Sequence, residues 1–146
     1  PDMALFKFTK GIIEETPIDI YNHGDMYRDF TYVEDLVRAI SLLIDAVPGL
    51  ILENSDNTTS VVAPYRVVNI GNSTKVKLLD FIEEIEKVLG KKAIRNYMDM
   101  QKGDVPKTWA DASLLKSLTG FQPQTDFKDG VRKFVSWYLE EYSKKI

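Results

Sequence analysis

The sequence predicts an α/β fold, because segments with helical hydrophobic periodicity alternate along the chain with short β-prone segments. The chain has 146 residues, of which 44% are hydrophobic and 28% are charged. This length and balance are typical of one globular domain. Because the predicted strands are few and short, the pattern fits a lobe that packs against another body better than a complete doubly wound sheet.

The first half of the chain has two amphipathic segments separated by β-prone residues. Pro17 ends the first helical pattern, and the acidic residues Glu34 and Asp35 favour the start of the second, where a helix N-terminus is positive. Pro48 stops that second pattern. We predict a helix over 3–15, strands over 18–21 and 28–33, and a helix over 34–47.

The second half repeats the alternation after a polar, exposed loop over 53–60. Ser73 or Thr74 is predicted to cap a helix whose C-terminal cap is Gly90, and Asp126 is predicted to cap the last helix. We predict strands over 65–70 and 93–98, a helix that carries the apolar residues from Leu78 to Leu89, and a short helix over 111–118. The last predicted helix follows Asp126 and has Lys144 and Lys145 at its C-terminus.

Composition excludes several kinds of site. The chain has no cysteine, so disulfides and thiolate metal sites are excluded, and a reducing compartment is permitted. Because it has one histidine, His23, a metal site built from several histidines is impossible. We expect His23 to be solvated. The net charge of -3 argues against nucleic acid as a partner. No apolar run is long enough to span a bilayer.

A self-sufficient active site is not found in the sequence. No two of the eight glycines have the spacing of a dinucleotide-binding fingerprint. No tyrosine is followed four residues later by a lysine, the spacing that lets an ammonium lower the pKa of a catalytic phenol. The run Glu83, Glu84 and Glu86 is interpreted as a solvated helix face, and Trp109 and Trp137 as core residues.

Three segments could bind a ligand. Arg28 could grip a phosphate, or it could pair with Asp29 or Glu34 on the surface. Asp104 could accept hydrogen bonds from a ribose diol, or it could bond its own backbone in a turn. Residues 2–3 with 18–21 could sandwich a base, or they could simply pack in the core.

Taken together, the motifs RDFTYVEDL, NIGN and GDVPKTWAD, in this order and spacing, resemble the extended short-chain dehydrogenase/reductase family, and within it the nucleotide-sugar epimerases that act on UDP-glucuronate. The resemblance covers nearly the whole chain. It implies that residues 1–146 form the C-terminal substrate-binding domain of a longer enzyme. The N-terminal Rossmann part, absent here, would bind NAD and supply the catalytic tyrosine and lysine.

The resemblance also assigns binding roles to particular residues. Arg28 matches an arginine that holds the diphosphate, and Asp104 matches a residue that contacts the uridine ribose. Thr108 and Gln101 stand where some relatives have a tyrosine and a phosphate-binding arginine. The rim of the uracil pocket is matched by Met3, Asp19, Ile20 and Tyr21.

The function implied by the resemblance is inversion at C4 of a UDP-sugar in the cytoplasm by the intact enzyme, for which a homodimer is one expected form. The resemblance implies no catalytic residue and no cofactor in this chain. Two other functions remain open. The chain could belong to a sugar-nucleotide dehydratase or decarboxylase, or it could be a stand-alone binding domain that lacks a Rossmann half.

Overall fold

A computed structural model describes residues 3–48, 60 and 62–142 of the chain. It confirms the mixed α/β class. The elements in chain order are α1 (Ala4–Ile13), β1 (Ile18–Ile20), a 3-10 turn (Tyr21–Gly24), β2 (Tyr27–Arg28), α2 (Val33–Leu43), β3 (Val76–Lys77), α3 (Leu78–Leu89), β4 (Arg95–Tyr97), α4 (Ser113–Thr119) and α5 (Phe127–Glu141).

The chain divides into two compact units, and it passes between them several times. The first unit comprises Pro1–Arg28, Lys75–Thr108 and Asp126–Ile146, and the second comprises Asp29–Thr74 and Trp109–Thr125. We describe each unit by itself.

The first unit consists of three helices and two small strand pairs. Helix α3 packs against α5 and α1. Strand β1 pairs in parallel with β4, from Ile18 opposite Arg95 to Ile20 opposite Tyr97, while β2 pairs antiparallel with β3. Apolar side chains from these elements form the core, and the largest are Ile12, Ile20, Phe81, Ile82, Ile85, Val131 and Val135.

The ends of two helices in this unit follow from local chemistry. Gly90 ends α3 with a left-handed φ of 65°, a conformation that costs glycine little. Asp126 caps α5 by accepting a hydrogen bond from the Lys128 amide at 2.8 Å, as predicted. The predicted cap of α3 is wrong, because Lys77 occupies that position and neither Ser73 nor Thr74 does.

The interpretation of the acidic run on α3 as a solvated face is also wrong. Glu83 is exposed, but Glu84 and Glu86 are buried. Glu86 accepts hydrogen bonds from the Ala93 amide, the Arg95 guanidinium and the Lys92 ammonium, so this carboxylate fixes the connection from α3 to β4. Burial alone would raise the pKa of Glu86, but these donors hold the pKa below its usual value.

The second unit packs α2 against α4 around Ala39, Ala112 and Leu115. Asp29 joins two segments here, since its carboxylate accepts from the backbone amides of Asn72, Ser73 and Ala110. A side chain at Gly71 would collide with this arrangement, because an added Cβ would lie 2.5 Å from the Ala110 Cβ and 2.8 Å from Asp29 Oδ2.

Asp35 anchors the start of α2 in the same unit. Its Oδ2 accepts from the backbone amides of Thr125 at 2.9 Å and Gln124 at 3.1 Å. Burial alone would raise the pKa of Asp35, but the Thr125 amide and hydroxyl and the Gln124 amide hold the pKa below its usual value.

Several predicted elements differ from the structure. Helix α2 begins at Val33 and ends at Leu43, so the predicted strand over 28–33 is reduced to Tyr27–Arg28. Residues 65–70 form no strand within the part of the chain that the structure describes, apart from a single bridge at Arg66. Of the predicted loop over 53–60, only Ser60 lies within the described residues. Trp109 and Trp137 are about half exposed, so the prediction that they are core residues is wrong.

Candidate functional site

Arg28 lies at the end of β2 in the first unit, and its guanidinium is held by three acceptors. Nη1 donates to the carbonyl of Tyr27 at 2.9 Å and to that of Pro106 at 3.4 Å. Nη2 donates to Oδ1 of Asp104 at 2.8 Å. The predicted alternative of a surface pair with Asp29 or Glu34 is therefore replaced by a pair with a residue 76 positions away.

Asp104 is held in a turn that begins at Gln101. The Asp104 amide donates to the Gln101 carbonyl at 3.2 Å, and Gly103 between them has a φ of 86°. Oδ1 of Asp104 also accepts from the Val105 amide at 2.9 Å. Asp104 therefore bonds the backbone of its own turn, as one of the two interpretations predicts, and it also pairs with the Arg28 guanidinium.

The 101–108 loop reaches Arg28 because residues 106–108 run alongside β2. The Tyr27 amide donates to the Pro106 carbonyl at 2.8 Å, and the Thr108 amide donates to the Tyr27 carbonyl at 3.1 Å. Tyr27 and Lys107 form a parallel bridge, with Lys107 Nζ 5.2 Å from the centre of the Tyr27 ring. Because successive side chains of a strand point to opposite faces, Lys107 lies on the face of Tyr27 rather than on that of Arg28.

The predicted uracil rim contains β1 and the turn that follows it. Ile20 is fully buried, and its carbonyl accepts from the Met98 amide at 2.9 Å, three residues before Gln101. Asp19 is exposed and accepts from the Asn96 side chain at 2.7 Å. Tyr21 is half-buried at the start of the 3-10 turn, where His23 donates its amide to the Met98 carbonyl at 3.1 Å.

A groove of about 520 Å³ lies between α1 and β1, and its lining includes Asp19, Tyr21 and Ala4. Met3 precedes α1 and is 77% exposed, and it is not among the residues that line this groove. The side chains of Gln101 and Thr108 are exposed at the two ends of the 101–108 loop.

The structure therefore brings Arg28, Asp104 and Thr108 together on neighbouring backbone, and it connects Asp19–Tyr21 to the start of the same loop through residue 98. It does not bring Met3 into contact with Arg28 or Asp104 within the described residues. A guanidinium beside a carboxylate can bind an anionic group and a hydroxyl-bearing group next to each other.

Sequence reasoning missed two side chains that fix the backbone around them. Asp29 and Glu86 each gather several donors, but neither carries a local signal beyond being acidic and next to a strand or within a helix. His23 is exposed as expected and pairs with Asp99 at 3.1 Å.

Within the described ranges, no group of three or more His, Cys, Asp or Glu side chains could hold a metal ion. None of the helices the structure describes has the length and apolar character needed to cross a membrane.

Comparisons with known proteins point to one family. The family model described as GDP-mannose 4,6 dehydratase matches residues 7–134. Protein CapI of Staphylococcus aureus is 54% identical, in an alignment that covers 99% of this chain and 44% of that protein. The probable UDP-glucuronate 4-epimerase of Rhizobium meliloti (strain 1021) is 47% identical, with 99% of this chain and 43% of that protein covered.

A solved structure has the same fold. The UDP-glucuronic acid 4-epimerase of Bacillus cereus, in complex with UDP-glucuronic acid and NAD, superimposes with a TM-score of 0.79 at 29% identity, over 97% of this chain and 41% of that chain. The chain spans less than half the length of these relatives. It belongs to the GDP-mannose 4,6 dehydratase family of extended short-chain dehydrogenases/reductases, and it corresponds to the C-terminal part of its members.

Proposed function

We propose that this chain binds the UDP part of a nucleotide sugar as the C-terminal part of an NAD-dependent UDP-glucuronate 4-epimerase. The observation that carries the proposal is the hydrogen bond of 2.8 Å from Arg28 Nη2 to Asp104 Oδ1. Asp104 lies on the 101–108 loop, which is also connected to Asp19–Tyr21 through residue 98. A diphosphate requires a cation with several donors, and a ribose diol requires an acceptor. Similarity to a structure that contains UDP-glucuronic acid and NAD supports the choice of ligand.

Each predicted site residue has a role in this proposal. Arg28 holds the diphosphate, Asp104 accepts from the ribose, and Gln101 and Thr108 border them on the same loop. The uracil is held by Met3, Asp19, Ile20 and Tyr21. Fixing the nucleotide restrains the sugar near the reacting groups, which lowers the entropic part of the barrier.

The chemistry itself is assigned to the rest of the enzyme. NAD bound there would accept hydride from C4 of the sugar and return it. None of the residues of this chain is proposed to hold NAD or to act as a catalytic acid or base, since it has neither the glycine fingerprint nor the tyrosine–lysine spacing. A cytoplasmic location and a homodimer of the intact enzyme are part of the proposal.

The exposed apolar face of α2 supports a Rossmann part as the partner of the second unit. Val33, Val37, Ile40 and Ile44 recur at helical spacing, and Val37 is 58% and Ile44 is 70% exposed. A helix face of this kind normally packs against another element.

A titration of the purified chain with UDP, followed by amide chemical shifts, tests the nucleotide site. We expect shifts clustered at Asp19–Tyr21, Arg28 and 101–108, and we expect Arg28→Ala to weaken binding at least about tenfold, because it removes a charge-assisted contact. The matched control is Arg132→Ala on α5, whose half-exposed guanidinium pairs with Asp129 one turn away on the same helix. Equal binding by the two variants would contradict the proposed role of Arg28.

The partner is tested by adding the remaining part of the Staphylococcus aureus relative. If UDP binds only after this addition, the pocket needs both parts, and the mixture should then interconvert UDP-glucuronate and its C4 epimer. UDP binding that is unchanged by the addition, without turnover, would favour a stand-alone binding domain. Absence of UDP binding in both conditions would refute the proposed function.

A further inference from the structure

The Arg28 guanidinium has only part of its donor set available to a ligand. Nη1 donates to the carbonyls of Tyr27 and Pro106, and Nη2 donates to Asp104 Oδ1. A guanidinium has five N–H groups. Three of these donors are used by acceptors of the described residues, which leaves the Nε–H and the second Nη2–H for a ligand. An incoming anion must approach this edge, next to the Asp104 carboxylate.

The charge of Arg28 is also offset locally. The Asp104 carboxylate lies 2.8 Å from Nη2, with both side chains only partly exposed, at 27% for Arg28 and 34% for Asp104. A free anion therefore meets a nearly neutral pair instead of an isolated cation, and it is repelled by Asp104 at short range. Lys107 does not restore the positive charge, because it lies over the Tyr27 ring on the other face of the strand.

Asp104 can serve a second ligand group without leaving Arg28. Its Oδ1 accepts from both Arg28 and the Val105 amide, whereas Oδ2 has no recorded hydrogen bond within the described part of the chain. A carboxylate oxygen can accept from hydroxyl groups. A ligand that carries a vicinal diol beside its phosphates gains a contact at Oδ2 that compensates for the repulsion, whereas an inorganic anion has no such group.

We propose that Asp104 is a specificity-determining residue that makes the Arg28 site select nucleoside diphosphates and reject inorganic phosphate and pyrophosphate. Discrimination of this kind depends on an unfavourable contact with the wrong ligand as much as on a favourable one with the right ligand. The proposal rests on the proposed UDP site. It adds that the site excludes inorganic phosphate and pyrophosphate, which UDP binding does not by itself require.

The test measures the binding of pyrophosphate and of UDP by calorimetry in magnesium-free buffer. Three proteins are compared: the wild-type chain, Asp104→Asn and Asp99→Asn. The remaining part of the relative is added if UDP binding requires it. Asp104→Asn keeps the shape of the side chain but removes its charge. We expect it to raise pyrophosphate affinity about tenfold, the size of effect expected when one unit charge is removed from beside a polyanion in water. Asp99→Asn changes the net charge equally at a side chain that is 98% exposed and pairs with His23, so it should leave affinity unchanged.

The same substitution in an Arg28→Ala background separates the mechanism from general repulsion. If Asp104 acts by neutralising Arg28, most of the gain in pyrophosphate affinity disappears in that background. If the wild-type chain binds UDP but Asp104→Asn changes the pyrophosphate affinity by less than about twofold relative to wild type, the inference is overturned and the proposed function stands. Pyrophosphate binding that is undetectable in every variant would overturn it as well. Loss of wild-type UDP binding would instead refute the proposed function.

Discussion

Replacing Glu86 should destabilise the first unit more than its position on a charged helix suggests. The side chain of Glu86 is only 2% exposed, and it accepts from Ala93, Arg95 and Lys92 at 3.0, 3.0 and 2.8 Å. The Lys92 contact contributes little because the Lys92 side chain is 86% exposed. The Arg95 and Ala93 contacts are the important ones, because breaking a buried charge-assisted network typically costs about 3 kcal/mol.

We therefore expect Glu86→Ala to lower the free energy of unfolding by about 3 kcal/mol, and Glu86→Gln by about 1–2 kcal/mol because the amide oxygen can still accept. Urea unfolding followed by circular dichroism measures both values. The matched control is Glu83→Gln, which removes an exposed carboxylate from the same helix and should change stability by less than about 0.5 kcal/mol.

The pH dependence gives a second measurement. Because the pKa of Glu86 is lower in the folded chain than its usual 4.5, its contribution is fully present above pH 4.5 and is lost as the pH falls through the folded-state value. The stability difference between wild type and Glu86→Gln should therefore shrink on acidification below pH 4.5. A difference that stays constant down to the acid limit, or equal effects of Glu86→Gln and Glu83→Gln, would refute this reasoning.

Two further predictions concern the second unit. Asp35→Asn should destabilise it by about 1 kcal/mol through weaker bonds to the Thr125 and Gln124 amides. Because the folded-state pKa of Asp35 is depressed, the loss should be seen above pH 3.8 and should diminish below it in unfolding curves taken across that range. Val37→Glu should leave the stability of the chain within about 0.5 kcal/mol, because the side chain is exposed, but should abolish association with the remaining part of a relative in sedimentation experiments. Leu139→Glu on α5, an exposed apolar residue of the first unit, should leave that association intact, and equal effects of the two acidic variants would contradict the assignment of the surface.

Two helix ends of the first unit were predicted correctly because their determinants are local. Gly90 and Asp126 act through their own backbone or through an amide two residues away, so the sequence contains the whole interaction. The burial of Glu84 and Glu86 was missed for the opposite reason. Glu86 is compensated by donors six to nine residues away, and helical periodicity carries no information about them.

The candidate site was predictable residue by residue but not as an arrangement. Arg28 and Asp104 were each selected from motifs, but the partners considered for Arg28 were Asp29 and Glu34, and the alternative considered for Asp104 was its own backbone. Their contact depends on residues 106–108 pairing with Tyr27 across 79 or more positions, which is a tertiary event. An observer with the sequence alone could have noted that a loop acidic residue and a strand arginine are complementary, but not that they meet.

The incorrect predictions in the second unit have two different physical causes. Residues 65–70 were predicted as a strand, and among the described residues they form only a single bridge at Arg66. Their alternation serves packing in part, because Val68 and Ile70 contact the core of Ala39, Ala112 and Leu115. Ile40 and Ile44, two of the apolar positions predicted for the helix, are 50% and 70% exposed. An apolar helix face of this kind normally packs against another element. We therefore expect that adding the remaining part of a relative will slow amide hydrogen exchange along α2. Unchanged exchange at Ile40 after complex formation would show instead that this face has no role in the contact.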